Sequence, residues 1–299
     1  MITYLKHGDI DRKKWDHCVM NSRQGLVYSL SWYLDLVAPG WVGLVEDDYK
    51  SVMALPNRKK LGVRYIFQAL YTQQLGIYSR YTPEPQKSIE FINAIPKDFG
   101  YIEYSFNHLQ DFTNTEFSLN KKPNYELKLN QSYDHLKAHF SENTKRNLRK
   151  TLLNIEVVEK VSIRDIVKLK RQNSTIKRKP QFYEWLNCFM DTILSRSKGF
   201  ILGAEYKGEL VGAAFFIFNG GRLYYMIPVS NDVGKKERAM FAILDHVIGE
   251  YADTGLILDF EGSEITGIAR FFAGFGASPV YYNNLKINRL PLPYRLFKR

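Results

Sequence analysis

The apolar run Leu256-Ile257-Leu258 stops at Asp259-Phe260-Glu261-Gly262-Ser263 and passes at once into a segment carrying Arg270-Phe271-Phe272. Side chains alternate along an extended strand, so Asp259 and Glu261 are expected on one face and Phe260 on the other. A carboxylate near the carboxyl end of a central strand can take a proton from an attacking nucleophile, provided burial lifts its pKa toward the working pH. The same residues also suit a structural part. Acidic side chains at strand ends cap the next helix or bind loop amides, and Ser263 and Glu264 have the character of helix-start residues. Both readings stand at this level. Gly262 permits a sharp turn, after which Arg270-Phe271-Phe272 packs a helix beside a channel.

Positive charge is the second chemical signal. Ser132 fits an N-cap for a helix beginning near Tyr133, and Ser141 fits one for a second helix. On that second helix Lys145 and Arg149, with Arg146 and Lys150, are expected to form one stripe by i,i+4 spacing, either a solvated face or a phosphate-facing ridge. A Pro-bounded cluster at 174–181, STIKRKPQ, reads as a loop. The formal net charge of +11 and a sequence pI near 9.4 favour an anionic partner: a phosphate-rich cofactor, a nucleotide-sugar, tRNA or an anionic membrane surface. Charge alone does not choose among them.

Other chemistries are disfavoured. Cys18 and Cys188 are the only cysteines, with no CxxC, so neither a disulfide framework nor a zinc site is expected. His135 and His139 are spaced i,i+4 but lack a third ligand, so no metal is expected. There is no GxSxG, P-loop or GxGxxG, which argues against a hydrolase, an NTPase or a dinucleotide enzyme. The longest apolar run, Leu210–Phe218, is far short of a bilayer span, and a soluble, cytoplasmic protein is expected.

The elements that must position these residues follow from turn chemistry. From Gly199, three short β-rich runs are punctuated at Lys207-Gly208 and Asn219-Gly220-Gly221, the pattern of an antiparallel meander. A helix-period segment follows, with Met240, Ile243, Leu244, Val247, Ile248 and Tyr251 on one face and Gly255 at its stop. LILDF is then most simply a parallel strand reached by a crossover. The first half has the same order, with turns expected at Asp47-Asp48 and Arg58-Lys59-Lys60, a helix over PQKSIEFINAIPKDFG and a strand over YIEYSFN. With 299 residues, two domains are expected, 1–124 and 125–299, each repeating meander, helix and strand.

This order resembles the core of the GNAT acyltransferases. With the segments NYELKLNQSYDHLKAHFSENTKRNLRKT, YYMIPVSNDVGKKERAMFAILDHVIGEYADTG and LDFEGSEITGIARFFAGFGASPVYY, the chain is similar to the FemAB-like proteins, tandem GNAT-like transferases whose best-known members attach amino acids to peptidoglycan precursors. It also resembles the standalone BioF2-like acetyltransferase domains, in which SWYLDLVAPGW and QQLGIYS are typical. The resemblance spans nearly the whole chain. It implies an α/β (α+β) fold of two tandem GNAT-like domains, each a mixed, mostly antiparallel sheet flanked by helices, and acyl transfer to an amine.

In such a core the pyrophosphate of acyl-CoA sits on amides at a helix start. Carried over, that site falls on SNDVGKKERA, where Gly234, Lys235, Lys236 and Arg238 would serve the anion. The usual Gln/Arg-x-x-Gly-x-Gly/Ala signature keeps only Ala239, a departure that suits a donor carried on tRNA. Tyr225 would assist an oxyanion or a leaving thiolate, a core role being the alternative. The resemblance thus implies acyl-CoA or aminoacyl-tRNA as donor, no metal, an amine acceptor on a cell-wall precursor or amino sugar, and scope for peripheral membrane contact. Lys145, Arg146, Arg149, Lys150 and Arg270 are the expected substrate- or phosphate-binding residues. A catalytically silent module binding an anion, nucleic acid or glycan is the alternative on the same fold.

Overall fold

The computed structural model describes residues 1–81, 83–112, 116–291 and 295. The chain divides into two compact units, Met1–Pro123 with Val280–Arg299, and Asn124–Pro279. Residues 280–299, expected with the second domain, group by packing with the first unit, where the final strand pairs.

The first unit holds strands β1 (Ile2–Leu5), β2 (Val42–Glu46), β3 (Ser51–Leu55), β4 (Asn57–Lys60), β5 (Val63–Ile66), β6 (Ile77–Ser79) and β7 (Phe99–Ser105), with helices α1 (Arg12–Met20), α2 (Ser31–Val37) and α3 (Pro85–Asn93). β1-β2-β3-β6 form an antiparallel sheet. β4 pairs antiparallel with β5, which runs parallel to β7. Asp11 caps α1 by accepting from the amides of Lys13 and Lys14, and the helix buries Trp15, whose ring lies 4.7 Å from that of Trp41. Arg58, Lys59 and Lys60 lie within β4, not in a turn. The reversal falls one step later, at Leu61-Gly62, where both residues have positive φ.

The second unit runs from β8 (Leu119–Leu129) through α4 (Tyr133–Ala138), α5 (Glu142–Thr151), β9 (Ile155–Val158), α6 (Ile163–Asn173) and α7 (Pro180–Ser195). It continues with the meander β10 (Gly199–Tyr206), β11 (Glu209–Asn219) and β12 (Arg222–Ser230). Then come α8 (Asp232–Lys236), α9 (Ala239–Glu250), β13 (Leu256–Asp259) and α10 (Thr266–Gly274), after which the chain returns to the first unit, where β14 (Ser278–Asn288) pairs antiparallel with β7. The sheet order is β8-β13-β12-β11-β10-β9. All neighbours are antiparallel except β12 and β13, which run parallel as the crossover predicts. One face of α9 buries Ile243, Leu244, Val247 and Ile248 with Leu223, Leu258 and Phe216 of the sheet. The expected single helix is broken into α8 and α9 because Arg238 adopts a left-handed φ of 66°. Among the described residues no helix is long and apolar enough to cross a membrane.

Candidate functional site

Three helices of the second unit enclose an open cavity of about 390 Å³. Its cations come from separate stretches: Arg146 and Lys150 from α5, Arg238 from the α8–α9 junction, and Arg270 from α10. None of the four forms an ion pair among the described residues. Arg146 donates to its neighbour Asn143 Oδ1 at 2.8 Å, and Arg238 to the carbonyl of Lys235 at 3.1 Å. Phe241 and Phe271, edge to face at 4.7 Å, supply an apolar wall, and Asn143, Thr144, Asn147 and Gly267 complete the lining. Arg238 and Phe241 stand at the amino end of α9, so the positive end of that helix adds to the field of the side chains.

Local sequence fixes this geometry. Ser141 caps α5, its hydroxyl accepting from the Thr144 amide at 3.2 Å, while its own amide donates to the Gly274 carbonyl at 2.9 Å. That bond ties the start of α5 to the end of α10. Gly274 lets the two helices approach, since a Cβ there would meet Thr144 Oγ1 at 2.5 Å. Gly274→Ala is expected to cost about 1–3 kcal/mol by prising the helices apart, read from denaturant unfolding. An unchanged midpoint would mean the pair relaxes freely.

The expected basic stripe divides. Lys145 bonds the Ala138 carbonyl and Glu142, at 3.0 and 3.2 Å, and neither it nor Arg149 lines the cavity. At about 100° per residue, Asn143, Arg146, Asn147 and Lys150 form one face, and the 145/149 pair lies on the next.

The expected phosphate residues divide too. Gly234 is needed for packing: a Cβ there would collide with the Val211 carbonyl, and its amide already donates to the N-cap Asn231 Oδ1 at 2.8 Å. Lys235 pairs with Asp232 at 2.9 Å. Lys236 is exposed and outside the cavity, leaving Arg238 as the member of that set at the site.

Asp259 and Glu261 do not share a strand face. β13 ends at Asp259, and Glu261 and Gly262 follow with φ of 62° and 59°, a left-handed turn that breaks the alternation. Asp259 is 1% exposed and accepts from Arg222 Nη1 at 3.1 Å, Asn124 Nδ2 at 3.0 Å and the Glu261 amide at 3.0 Å. Arg222 also bonds Glu126 at 2.8 Å. Burial pushes the Asp259 carboxyl above its ordinary value, with Glu126 adding to the rise, against the lowering pull of Arg222 and of the hydrogen bonds. Burial opposes the charge on Arg222, yet Asp259 and Glu126 outweigh it and hold the guanidinium firmly protonated. Sequence reasoning missed this triad.

Tyr225 is 3% exposed, its ring packed against Phe216, Phe260 and Phe272, and its hydroxyl meets Met240 Sδ at 3.1 Å. Burial pushes the phenol far above its usual range. It sits in the core. Glu261 is half-buried, the one of the three proposed proton-transfer groups that solvent reaches.

Elsewhere, a void of about 20 Å³ lies near Gln24 and Gln110, room for little more than a water. A shallow depression over α6 and α7 carries Arg164 with Asp191 but no unpaired group of cations. Among the described residues no cluster of His, Cys, Asp and Glu could hold a metal ion. Cys18 is buried and donates toward the Tyr78 carbonyl, and Cys188 is exposed.

Residues 143–269 match the family model of the acetyltransferase (GNAT) domain, a segment containing every cavity residue except Arg270 and Phe271. A comparison of the sequence with curated proteins returns no match. Among solved structures the chain is similar to FemX (TM-score 0.68, 11% identity, 97% of this chain and 99% of that one). It is also similar to L-PGS from Bacillus licheniformis (TM-score 0.57, 12% identity, 96% and 95%). A tandem GNAT protein from the clavulanic acid biosynthesis pathway gives a TM-score of 0.56 at 10% identity, covering 97% and 99%. Residues 143–269 are thus similar to a GNAT domain, and the fold of the chain is similar to those of FemX and the tandem GNAT protein.

Proposed function

We propose that this protein is an acyltransferase that moves an acyl or aminoacyl group from a phosphate-bearing donor, acyl-CoA or an aminoacyl-tRNA, to an amine on a cell-wall precursor or amino sugar. The observation that carries this reading is the cavity itself: four cations that form no ion pair among the described residues, beside two phenyl rings, at the amino end of α9 and, but for Arg270 and Phe271, within the GNAT-matched segment. Unpaired guanidinium and ammonium groups bind phosphate oxygens strongly, and the rings suit a base or other flat group. The acceptor nitrogen attacks the carbonyl carbon and forms the N–C bond. The C–S or C–O bond to the donor breaks, and the thiolate or ribose oxygen leaves and is protonated. The proton lost from the amine goes to Glu261, since Asp259 is held by Arg222 and Asn124 and the Tyr225 phenol stays protonated in the core. Catalysis rests mainly on holding amine and carbonyl together.

The test is transfer from a panel of CoA thioesters and charged tRNAs to amine acceptors. Product is expected from one donor class, with Glu261→Gln slowing turnover by about 10² or more while the fold persists. Absence of product from every donor would sink the transferase reading. One observation favours a second reading, a silent anion-binding module: Asp259 and Tyr225 are both committed to core contacts. Saturable donor binding without turnover would select it.

A further inference from the structure

The buried cluster of Arg222, Glu126 and Asp259 sets one cation against two carboxylates. Arg222 and Glu126, 2.8 Å apart, would make a balanced pair without Asp259, whose charge is therefore in excess where water does not reach. Burial and Glu126 both oppose that charge, against the pull of Arg222. Valine, of nearly the same volume, would fill the position without it. A surplus buried charge is a cost to the fold, and it calls for a use beyond folding.

What Asp259 holds besides Arg222 is the turn that follows it. Its Oδ1 accepts from the Glu261 amide at 3.0 Å and from Asn124 Nδ2 at 3.0 Å, while Oδ2 takes Arg222 Nη1 at 3.1 Å. Glu261 has a φ of 62°, a left-handed conformation that glycine or asparagine adopts at lower cost. Between them Phe260 is 1% exposed, its ring 4.9 Å from that of Phe272 and its amide bonded to the Tyr125 carbonyl at 3.0 Å. The turn is thus pinned twice, by Phe260 in the core and by the Glu261 amide on a buried carboxylate. Phe272 in turn adjoins Phe271, which lines the cavity. Strained residues persist where their surroundings over-determine them, and such places cluster at sites where position matters.

We propose that Asp259 is a positioning residue, which uses its buried carboxylate to hold the left-handed turn that presents Glu261, with Asn124 and Arg222 fixing the carboxylate itself. The proposal rests on the reading of Glu261 as the group that receives the amine proton. It gives Asp259 a part in turnover, exercised through Glu261.

The experiment compares Asp259→Val, Asp259→Asn, Glu261→Gln and the double variant Asp259→Val with Glu261→Gln, each in the full chain. Loss of Asp259 leaves Arg222 paired with Glu126, so no charge is stranded and the variants should fold. Residue-resolved hydrogen exchange is the first readout. The Glu261 amide should exchange about tenfold faster or more in Asp259→Val, and Asp259→Asn, whose side-chain oxygen still accepts, should recover most of the protection. The second readout is transfer from the donor class that gives product. Asp259→Val should lower kcat about tenfold or more with KM changed by no more than about threefold, because a misplaced base slows the chemical step without loosening the donor. Placed on Glu261→Gln, the same substitution should cost no more than about twofold further, since a residue acting through Glu261 has nothing left to act on. Losses that multiply would overturn the proposal, because they would mark general damage to the unit. An unchanged kcat in Asp259→Val would do the same. So would unchanged exchange at Glu261 in that variant, whether or not the protein turns over. A parent that gives no product from any donor would remove the transferase reading and the use of the turn with it, a failure read from the parent before any variant is made.

Discussion

Arg222→Met is expected to destabilise the second unit by about 3–5 kcal/mol, because it removes the one cation from between two buried carboxylates. The side chains of Arg222, Glu126 and Asp259 are 10%, 11% and 2% exposed, so water cannot replace the lost partner. At roughly 2–4 °C per kcal/mol for a unit of this size, the melting temperature should fall by about 10 °C. The pH dependence has a definite sign. Burial already raises Asp259, and losing Arg222 removes the interaction that most opposes the rise. A carboxyl whose folded pKa is raised makes the fold bind protons more tightly than the unfolded chain does. It therefore weakens the fold above that pKa and ceases to do so as pH falls through it. The deficit of the variant should shrink as pH falls through the raised carboxyl pKa, measured against the parent at each pH. A deficit independent of pH would mean that lost packing, not the stranded carboxylates, is the cause.

The triad also shows what one chain of letters can and cannot display. Lys207-Gly208 and Asn219-Gly220-Gly221 announce the meander because each turn residue named carries its own conformational preference, and in the structure Lys207, Gly208, Gly220 and Gly221 take positive φ. The parallel placement of β13 is legible for a similar reason: a strand following a helix that follows a strand returns by a crossover. Arg222, by contrast, meets Glu126 and Asp259 across 96 and 37 residues of sequence. Nothing local in Gly-Gly-Arg marks a buried cation. The shared face expected of Asp259 and Glu261 is lost for a related reason, since alternation holds only while the strand continues, and Glu261-Gly262 turns left-handed just past its end. The face of α5 was within reach. Asn143 and Asn147 share the spacing of Arg146 and Lys150, and phasing the helix at 100° per residue separates them from Lys145 and Arg149. Arg238 and Arg270 are expected at the site from the resemblance, and only the fold shows that they converge with Arg146 and Lys150.

Arg238→Ala combined with Arg270→Ala is expected to weaken binding of whichever phosphate-bearing donor proves correct by about a hundredfold or more. Each lost charge-assisted hydrogen bond is worth roughly 1.5–3 kcal/mol, and the two residues reach the cavity from different helices, so their losses should approach additivity. The fold should be nearly indifferent, because both side chains are exposed and neither holds an ion pair among the described residues. Lys145→Ala with Arg149→Ala removes the same formal charge from the same region but from the neighbouring face of α5, and should change affinity by no more than about threefold. With a tRNA donor the slope of log affinity against log salt should fall by about 1.5 for the cavity pair and by much less for the other. Equal losses from both pairs would mean that diffuse positive charge, rather than the cavity, holds the donor. A large difference between them would tie the anion to the point where α5, α9 and α10 meet.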